Sequence, residues 1–277
     1  MKNILHILNA EFPEDDWKIK KSEGKSKESY IAESSQRKVF IKLEKVSLAL
    51  LRLSEIAAAP AIITSGQLNG IDYFIQDFIE GEYPTDEWFH EHVGELAAFI
   101  RRYHTDAELI RLLSNTENDY KKHVDDEISY LYERLQFLSI PFSEIQHYYE
   151  KLKEMGAALD KEAFVPVHAD TNRANFLVSS EGFVMVDWED VMLSDHMRDV
   201  GMILFRYHPK DRWDDFWVSY GTKPSDEKIY FWIAAHCLGV AAWFGEREDE
   251  QSQNPVSYTH LIIISLQSGS SSIIQSV

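Results

Sequence analysis

The sequence lacks a second cysteine, a long apolar run and a signal for secretion. Cys237 is the only cysteine in 277 residues, so no intrachain disulfide forms, and its apolar, helix-like surroundings favour a buried thiol. No segment approaches the roughly 18 apolar residues that a membrane-spanning helix needs. Residues 1–9 are too short an apolar stretch for a secretory signal. We therefore expect a cytoplasmic protein without a membrane partner.

Positive charge is also scarce. The chain has 28 Lys and Arg residues against 46 Asp and Glu residues, a formal net charge of −18. This imbalance argues against binding to phosphate backbones, so we expect no nucleic acid partner. Residues 1–80 hold 11 basic and 12 acidic residues, whereas residues 81–277 hold 17 and 34. The two regions are therefore expected to have different electrostatic functions.

The last segment, residues 251–277, lacks charged residues altogether. Serine, glutamine and isoleucine dominate it, and residues 261–266 have the uncharged, β-branched character of an aggregation-prone strand. We treat the segment as an atypical tail, with the hypothesis that a frameshift or a cloning step produced it. An intact open reading frame through this segment in the source gene would contradict that hypothesis.

The spacing of apolar residues changes near residue 80. Before it, short apolar runs alternate with polar turns, as in strands, and Asn69-Gly70 is a hairpin signal because both positions favour positive φ. One helix is expected over 48–56. After it, longer amphipathic segments and one β-hairpin (175–178 with 183–186) are expected, with helices over 88–103, 120–137, 142–159 and 228–244. The patterns predict an α+β chain with a β-rich N-terminal lobe (1–80) and a mainly helical C-terminal lobe (81–250).

Polar residues with ligand chemistry cluster between 168 and 190. Residues 168–175 read His-Ala-Asp-Thr-Asn-Arg-Ala-Asn, and the apolar hairpin that follows ends in Asp187. The hairpin returns Asp187 toward Asn175, so that two oxygen ligands of a hard cation converge beside Asp170, a carboxylate able to accept a proton. This set predicts metal-assisted chemistry on a hydroxyl group. The alternative is a polar turn with an Asx cap.

This constellation resembles the aminoglycoside phosphotransferase and choline kinase superfamily, small-molecule kinases with a bilobal, protein-kinase-like fold. The resemblance rests on His-x-Asp-x-x-x-x-Asn at 168–175 and on apolar-Asp-Trp-Glu at 186–189. It extends to the Asp-x-x-x-Asp-apolar element at 195–200, to a helix that ends at His104, and to Lys42 after Val-Phe-Ile. Altogether it covers roughly residues 15–250.

The resemblance implies a role for each matched residue. Asp170 is the expected catalytic base, while Asn175 and Asp187 are expected to hold Mg²⁺ between the β- and γ-phosphates of ATP. Lys42 is expected on the α- and β-phosphates, paired with Glu55, because Glu44 is too near in sequence to fold back easily. Further nucleotide-binding residues are expected in a phosphate-covering hairpin (Gly24, Ser26 and Ser29) and at the adenine-binding hinge (Gln76, Phe78 and Ile79).

Four more residues flank this set. We expect His168 to bond across the catalytic loop instead of transferring protons, and Asp199 to brace the main chain of that loop. Glu189 is a candidate for orienting substrate. Trp188 fits either that role or core packing.

The implied function is ATP-dependent phosphate transfer to a small-molecule hydroxyl. Ala169 and Asn172 stand where protein kinases carry arginine and lysine, and the segment from Asp187 to Asp199 is too short for a peptide-docking loop. The acidic region 81–277 favours a cationic acceptor resembling an aminoglycoside, choline or thiamine, provided that its carboxylates face the acceptor. The alternative is a nucleotide-binding pseudokinase or adaptor without transfer activity.

Overall fold

The computed structural model describes residues 2–22, 28–114, 119–136, 141–180 and 182–246. The predicted positions Gly24 and Ser26 and the tail at 251–277 lie outside them. The strands are β1 (Lys18–Lys21), β2 (Ser29–Glu33), β3 (Lys38–Lys42), β4 (Ile62–Leu68), β5 (Ile71–Asp77), β6 (Val165–Val167), β7 (Phe176–Ser179), β8 (Gly182–Met185) and β9 (Met192–Ser194). The helices are α1 (Lys2–Glu11), α2 (Leu48–Glu55), α3 (Asp86–Glu91), α4 (Val93–His104), α5 (Ala107–Leu113), α6 (Tyr120–Leu135), α7 (Phe142–Ala157), α8 (Met197–Tyr207), α9 (Trp213–Tyr220) and α10 (Asp226–Glu246).

The chain forms two compact units. The first contains Met1–Pro84, Asp106–Leu113 and Arg173–Val191, and the second contains the remaining residues. This division differs from the single boundary near residue 80 that the sequence suggests. Two segments beyond that boundary, Asp106–Leu113 and Arg173–Val191, belong to the first unit. One of these segments carries the predicted hairpin with Asn175 and Asp187.

An antiparallel sheet of five strands, in the order β1-β2-β3-β5-β4, dominates the first unit. Its predicted hairpin is present: β4 and β5 are joined by Asn69 and Gly70, with φ of 52° and 79°. Two successive positive φ values give the turn a twist that matches the strands. The centrally placed β3 ends at Lys42, which lies opposite Ser29 on β2 and Phe74 on β5.

Helix α1, which the sequence patterns do not predict, covers one face of this sheet. Ile4, Ile7 and Leu8 recur at helical spacing and are buried. They pack with apolar residues of the sheet, which are Ala32, Val39, Ile41, Tyr73 and Ile75. The predicted helix over 48–56 is confirmed as α2, and the Ser47 hydroxyl caps it by accepting the N–H of Leu50 at 3.0 Å.

The β7–β8 hairpin joins the first unit through the segment that follows β5. Val178 and Glu82 exchange two main-chain hydrogen bonds, each 2.9 Å long. A Cβ atom at position 81 would lie 2.7 Å from the Val178 carbonyl oxygen, so only glycine fits there. Gly81 therefore permits the contact that brings the hairpin to the sheet.

The second unit is mainly helical. The predicted helix over 88–103 is divided at His92 into α3 and α4, while α6, α7 and α10 lie close to their predicted bounds. A short antiparallel pair, β6 with β9, was not predicted and places residue 168 directly after a strand. Among the described residues, no helix has the length and apolar character needed to cross a bilayer.

Candidate functional site

The predicted catalytic loop begins where β6 ends, and Asp199 on α8 holds it. Asp199 is fully buried, and its carboxylate accepts the main-chain N–H groups of His168 at 2.8 Å and Ala169 at 2.9 Å. The Thr171 hydroxyl donates to the Asp199 carbonyl oxygen at 3.1 Å. Asp199 thus makes the bracing contacts expected of it.

Two side chains from the end of α4 also donate to the Asp199 carboxylate. These are the Tyr103 hydroxyl at 2.8 Å and the His104 imidazole at 3.2 Å. Burial acts to raise the pKa of Asp199, but the hydrogen bonds from His104 and His168 outweigh it, and the net pKa is lowered. Burial lowers the pKa of His104, so a neutral imidazole donates from Nε2 and accepts the Tyr220 hydroxyl at Nδ1, 2.7 Å away. A buried anion therefore sits behind the loop.

The loop turns Asp170 outward. Ala169 adopts a left-handed conformation with φ of 68°, which is unusual for a residue with a Cβ atom and is frequent at functional sites. The Asp170 N–H group donates to Nδ1 of the buried His168 at 3.3 Å. Asp170 itself is exposed. His168 therefore accepts a main-chain hydrogen bond within the loop, and its non-catalytic role stays a prediction. Asp170 is exposed at the turn.

Asn175 and Asp187 stand at adjacent positions at one end of the β7–β8 hairpin. Phe176 pairs with Met185, and the Asn175 carbonyl accepts the Val186 N–H group at 2.9 Å, so Asp187 is the next residue. Asp187 has a left-handed backbone (φ 66°, ψ 52°) and is exposed, whereas Asn175 is buried. The hairpin therefore returns Asp187 to Asn175, as predicted. An amide oxygen and a carboxylate are donors that fit Mg²⁺.

Lys42 is buried and has two acidic partners. Its Nζ contacts Glu189 and lies 2.9 Å from a carboxylate oxygen of Glu44. The predicted pair with Glu55 is not formed, since Glu55 contacts Arg52 at 2.9 Å. The expectation that Glu44 lies too near in sequence is also wrong, because the chain bends directly after β3.

These partners determine the charge of Lys42. Burial acts to lower the pKa of the ammonium group, but the hydrogen bonds with Glu189 and Glu44 outweigh burial, and the net pKa is raised. Lys42 therefore carries its positive charge at neutral pH, as a phosphate-binding lysine requires. The only sequence signal for Glu189 was its place beside Trp188 after Asp187, and that signal suggested a substrate contact.

The predicted hinge residues differ in their hydrogen-bond contacts. The Gln76 side chain is buried and donates to the Pro60 carbonyl at 3.2 Å, so that side chain serves the sheet. The Phe78 N–H group donates to the Lys38 carbonyl oxygen at 3.3 Å. Ile79 is the next residue after this main-chain hydrogen bond to β3. Ser29 is buried and lies opposite Lys42.

Trp188 is buried, and its indole N–H group donates to the Met185 carbonyl at 2.9 Å. These contacts favour core packing over substrate contact, the two readings that the sequence left open. The neighbouring Glu189 is exposed apart from its contact with Lys42. Trp188 therefore anchors the turn that carries Glu189.

The second unit contains a buried charged cluster that the sequence patterns do not predict. The Lys228 ammonium, nearly inaccessible to solvent, lies 2.7 Å from Asp195 and 2.9 Å from Glu162. The Tyr120 hydroxyl donates to Asp195 at 2.5 Å. A hydrogen bond from His196, with Lys228 contributing, lowers the pKa of Glu162 to about 2. Glu162, Asp195 and His196 lie close enough together to ligate a metal ion, but the Lys228 ammonium already supplies their positive charge.

Comparison with known proteins adds a family match. A family model described as the phosphotransferase enzyme family matches residues 30–228, well over half of the chain. Within this range lie Lys42, Asp170, Asn175, Asp187 and Asp199.

Solved structures of several kinases have a similar fold. The choline kinase from Cryptosporidium parvum is 13% identical, with a TM-score of 0.69 over 96% of this chain and 95% of that one. The choline kinase LicA from Streptococcus pneumoniae is 16% identical, with a TM-score of 0.66 over 96% and 98%. Spectinomycin phosphotransferase APH(9)-Ia, in complex with ADP and spectinomycin, is 16% identical, with a TM-score of 0.63 over 95% and 92%. These likenesses confirm the predicted α+β, protein-kinase-like fold.

Proposed function

The chain belongs to the phosphotransferase enzyme family, and from this premise we propose that it transfers the γ-phosphate of ATP to a hydroxyl group of a small molecule. The observation that carries the proposal is the loop at 168–170. Asp199 holds its main chain, and the loop presents Asp170 to solvent. In this role Asp170 accepts the proton of the attacking hydroxyl.

The first unit supplies the nucleotide-binding groups in this proposal. Asn175 and Asp187 would hold Mg²⁺, and the ion would supply positive charge to the phosphates. Lys42 donates to the α- and β-phosphates. The main chain at Ile79, directly after the last sheet bond, faces adenine. We assign Ser29, opposite Lys42, to the phosphates as well, and Gly24 and Ser26 keep the phosphate-covering role that the sequence implies.

The acceptor in this proposal is a small cationic alcohol. Residues 81–277 carry 34 acidic and 17 basic residues, and such an excess attracts cations. The Lys228 ammonium lies within ion-pair distance of both Glu162 and Asp195, so we assign the attraction to other carboxylates. Similar folds include enzymes named for choline and a complex with spectinomycin, and both compounds are cationic alcohols.

A screen of ATP consumption in the presence of Mg²⁺, against amino alcohols and amino sugars, tests the proposal. We expect turnover with at least one acceptor, and a loss of about 10³-fold or more in Asp170→Asn because the general base is gone, with nucleotide affinity retained. The matched control is Asp125→Asn, which removes an exposed carboxylate on α6 and should leave turnover unchanged.

Wild-type activity in Asp170→Asn would contradict the assigned base. Binding of Mg²⁺-ATP without transfer to any acceptor would instead favour the pseudokinase or adaptor alternative. The cytoplasmic location and the absence of nucleic acid and membrane partners stay predictions.

A further inference from the structure

We propose that Glu189 is the residue that positions Lys42 for phosphate binding, a role that the sequence pattern assigned to Glu55. The inference rests on the proposed function and deepens it. Its basis is the contact between the Lys42 ammonium and the Glu189 carboxylate, which joins residues 147 positions apart. Lys42 is only 7% exposed, and a buried ammonium group requires an anionic or hydrogen-bonding partner.

Glu55 forms an ion pair with a residue other than Lys42. Its carboxylate lies 2.9 Å from Arg52, one turn earlier on α2. The Arg52 guanidinium also donates twice to Asp106, at 2.7 and 3.1 Å. Arg52 therefore connects Glu55 to Asp106, which precedes α5, and Lys42 takes no part in this network.

Glu189 lies on a turn that is firmly anchored. Trp188, the residue before it, is buried and bonded to the Met185 carbonyl at 2.9 Å. Asp187 precedes this turn in a left-handed conformation. The turn at 188–190 therefore ties the Lys42 ammonium to the residue proposed to bind Mg²⁺. Phosphoryl transfer depends on relative placement of such groups to within about 1 Å, so one rigid turn that sets both positions has a catalytic consequence.

The hydrogen bonds of Lys42 leave room for phosphate. An ammonium group has three N–H donors. Within the part of the chain that the structure describes, two of them are directed at Glu189 and Glu44. The third remains for a phosphate oxygen. Glu44 and Glu189 are both about half-exposed, but Glu44 lies next to the strand end, whereas Glu189 follows the buried, hydrogen-bonded Trp188. Glu189 is therefore the partner that fixes the direction of the side chain.

Steady-state kinetics of Glu189→Gln test this role. We expect kcat to fall about 10- to 100-fold while the KM for ATP stays within about threefold, because orientation is lost and the phosphate-binding charge is kept. Glu189→Asp should recover part of the loss. Glu33→Gln, which changes an exposed glutamate on β2, is the matched control. In a Lys42→Met background, Glu189→Gln should change kcat by less than about twofold, because its effect passes through Lys42.

Two kinetic outcomes would overturn the inference. One is a loss of kcat in Glu55→Gln with none in Glu189→Gln. The other is an equal loss from Glu189→Gln with and without Lys42, which would assign Glu189 a direct contact with metal or substrate.

A second measurement does not require activity. Acetylation of Lys42 by an N-hydroxysuccinimide ester, followed by mass spectrometry of the peptide, reports how firmly the amine is held. We expect a rate at least about fivefold higher in Glu189→Gln than in Glu33→Gln, since the side chain loses its fixed partner. Equal rates would refute the contact. If the wild-type protein transfers phosphate to no acceptor, the proposed function fails while this measurement still decides the role of Glu189.

Discussion

Asp199 accepts the main-chain N–H group of His168 at 2.8 Å, although the two are 31 positions apart in sequence. The same carboxylate accepts the next N–H group, that of Ala169, and the left-handed turn at Ala169 leads to an exposed Asp170. A buried anion on α8 therefore shapes the loop that presents the proposed base.

Asp199→Asn should lower both stability and activity. The amide NH₂ group would face N–H donors, leaving buried polar groups unsatisfied, and we expect a loss of about 2–4 kcal/mol in the free energy of unfolding. Because the loop loses its shape, kcat should fall about 100-fold. Urea denaturation and steady-state kinetics measure the two effects. Tyr103→Phe, which removes a single donor, should cost only about 1 kcal/mol. Equal costs in both variants would contradict the central role of Asp199.

Lys228→Met should destabilise the second unit strongly. The substitution leaves Asp195, which is 1% exposed, without its cation, and removing one partner of a buried pair costs about 3–5 kcal/mol. Lys223→Met, which breaks a solvent-exposed pair with Asp214, should cost less than about 1 kcal/mol. Chemical denaturation compares the two. Similar small losses would show that the cluster does not depend on Lys228.

Acid should destabilise the protein through His208. This residue is buried, neither ring nitrogen has a hydrogen-bond partner among the described residues, and burial lowers its pKa from 6.5 to about 4. Between these values the unfolded chain binds a proton that the folded chain does not, so stability falls as the pH falls from 6.5 toward 4. The contribution reaches at most about 3 kcal/mol.

His208→Leu should remove this part of the pH dependence. Urea denaturation at pH 7 and pH 5 gives the difference in unfolding free energy between the two conditions, which should be smaller in His208→Leu than in the wild type. His147→Gln, on an exposed face of α7, is the control and should keep the wild-type difference. An unchanged difference in His208→Leu would exclude His208 as the source.

Gly81→Ala should be poorly tolerated. The new Cβ atom would lie 2.7 Å from the Val178 carbonyl oxygen, which the main chain cannot easily avoid, and we expect a loss of about 1–3 kcal/mol. In Gly239→Ala, on α10, the Cβ atom has only an ordinary 3.6 Å contact with the Leu131 side chain of α6, so a gain of about 0.5–1 kcal/mol is expected. Thermal denaturation of both variants tests this contrast, and a neutral Gly81→Ala would show that the segment shifts freely.

Local patterns made much of the fold predictable. The Asn69-Gly70 turn, helix α2 and the β7–β8 hairpin depend on neighbours a few residues apart, and all three appear where the sequence indicates. The loop with Asp170 and the hairpin end with Asn175 and Asp187 follow from short motifs for the same reason. Helix α1 was missed because its short apolar stripe has no capping signal and becomes meaningful only against the sheet.

Sequence alone determined which residue types are available: a lysine at the end of β3, an aspartate on a polar loop, and an asparagine and an aspartate at the ends of a hairpin. Tertiary structure decided their partners. Lys42 contacts Glu189 instead of Glu55, and Lys228 is buried between Glu162 and Asp195, because strand order and helix packing bring distant segments together. The spacing of charged residues along the sequence does not indicate which of them form pairs. Only the packed chain determines which carboxylate lies within 3–4 Å of which cation.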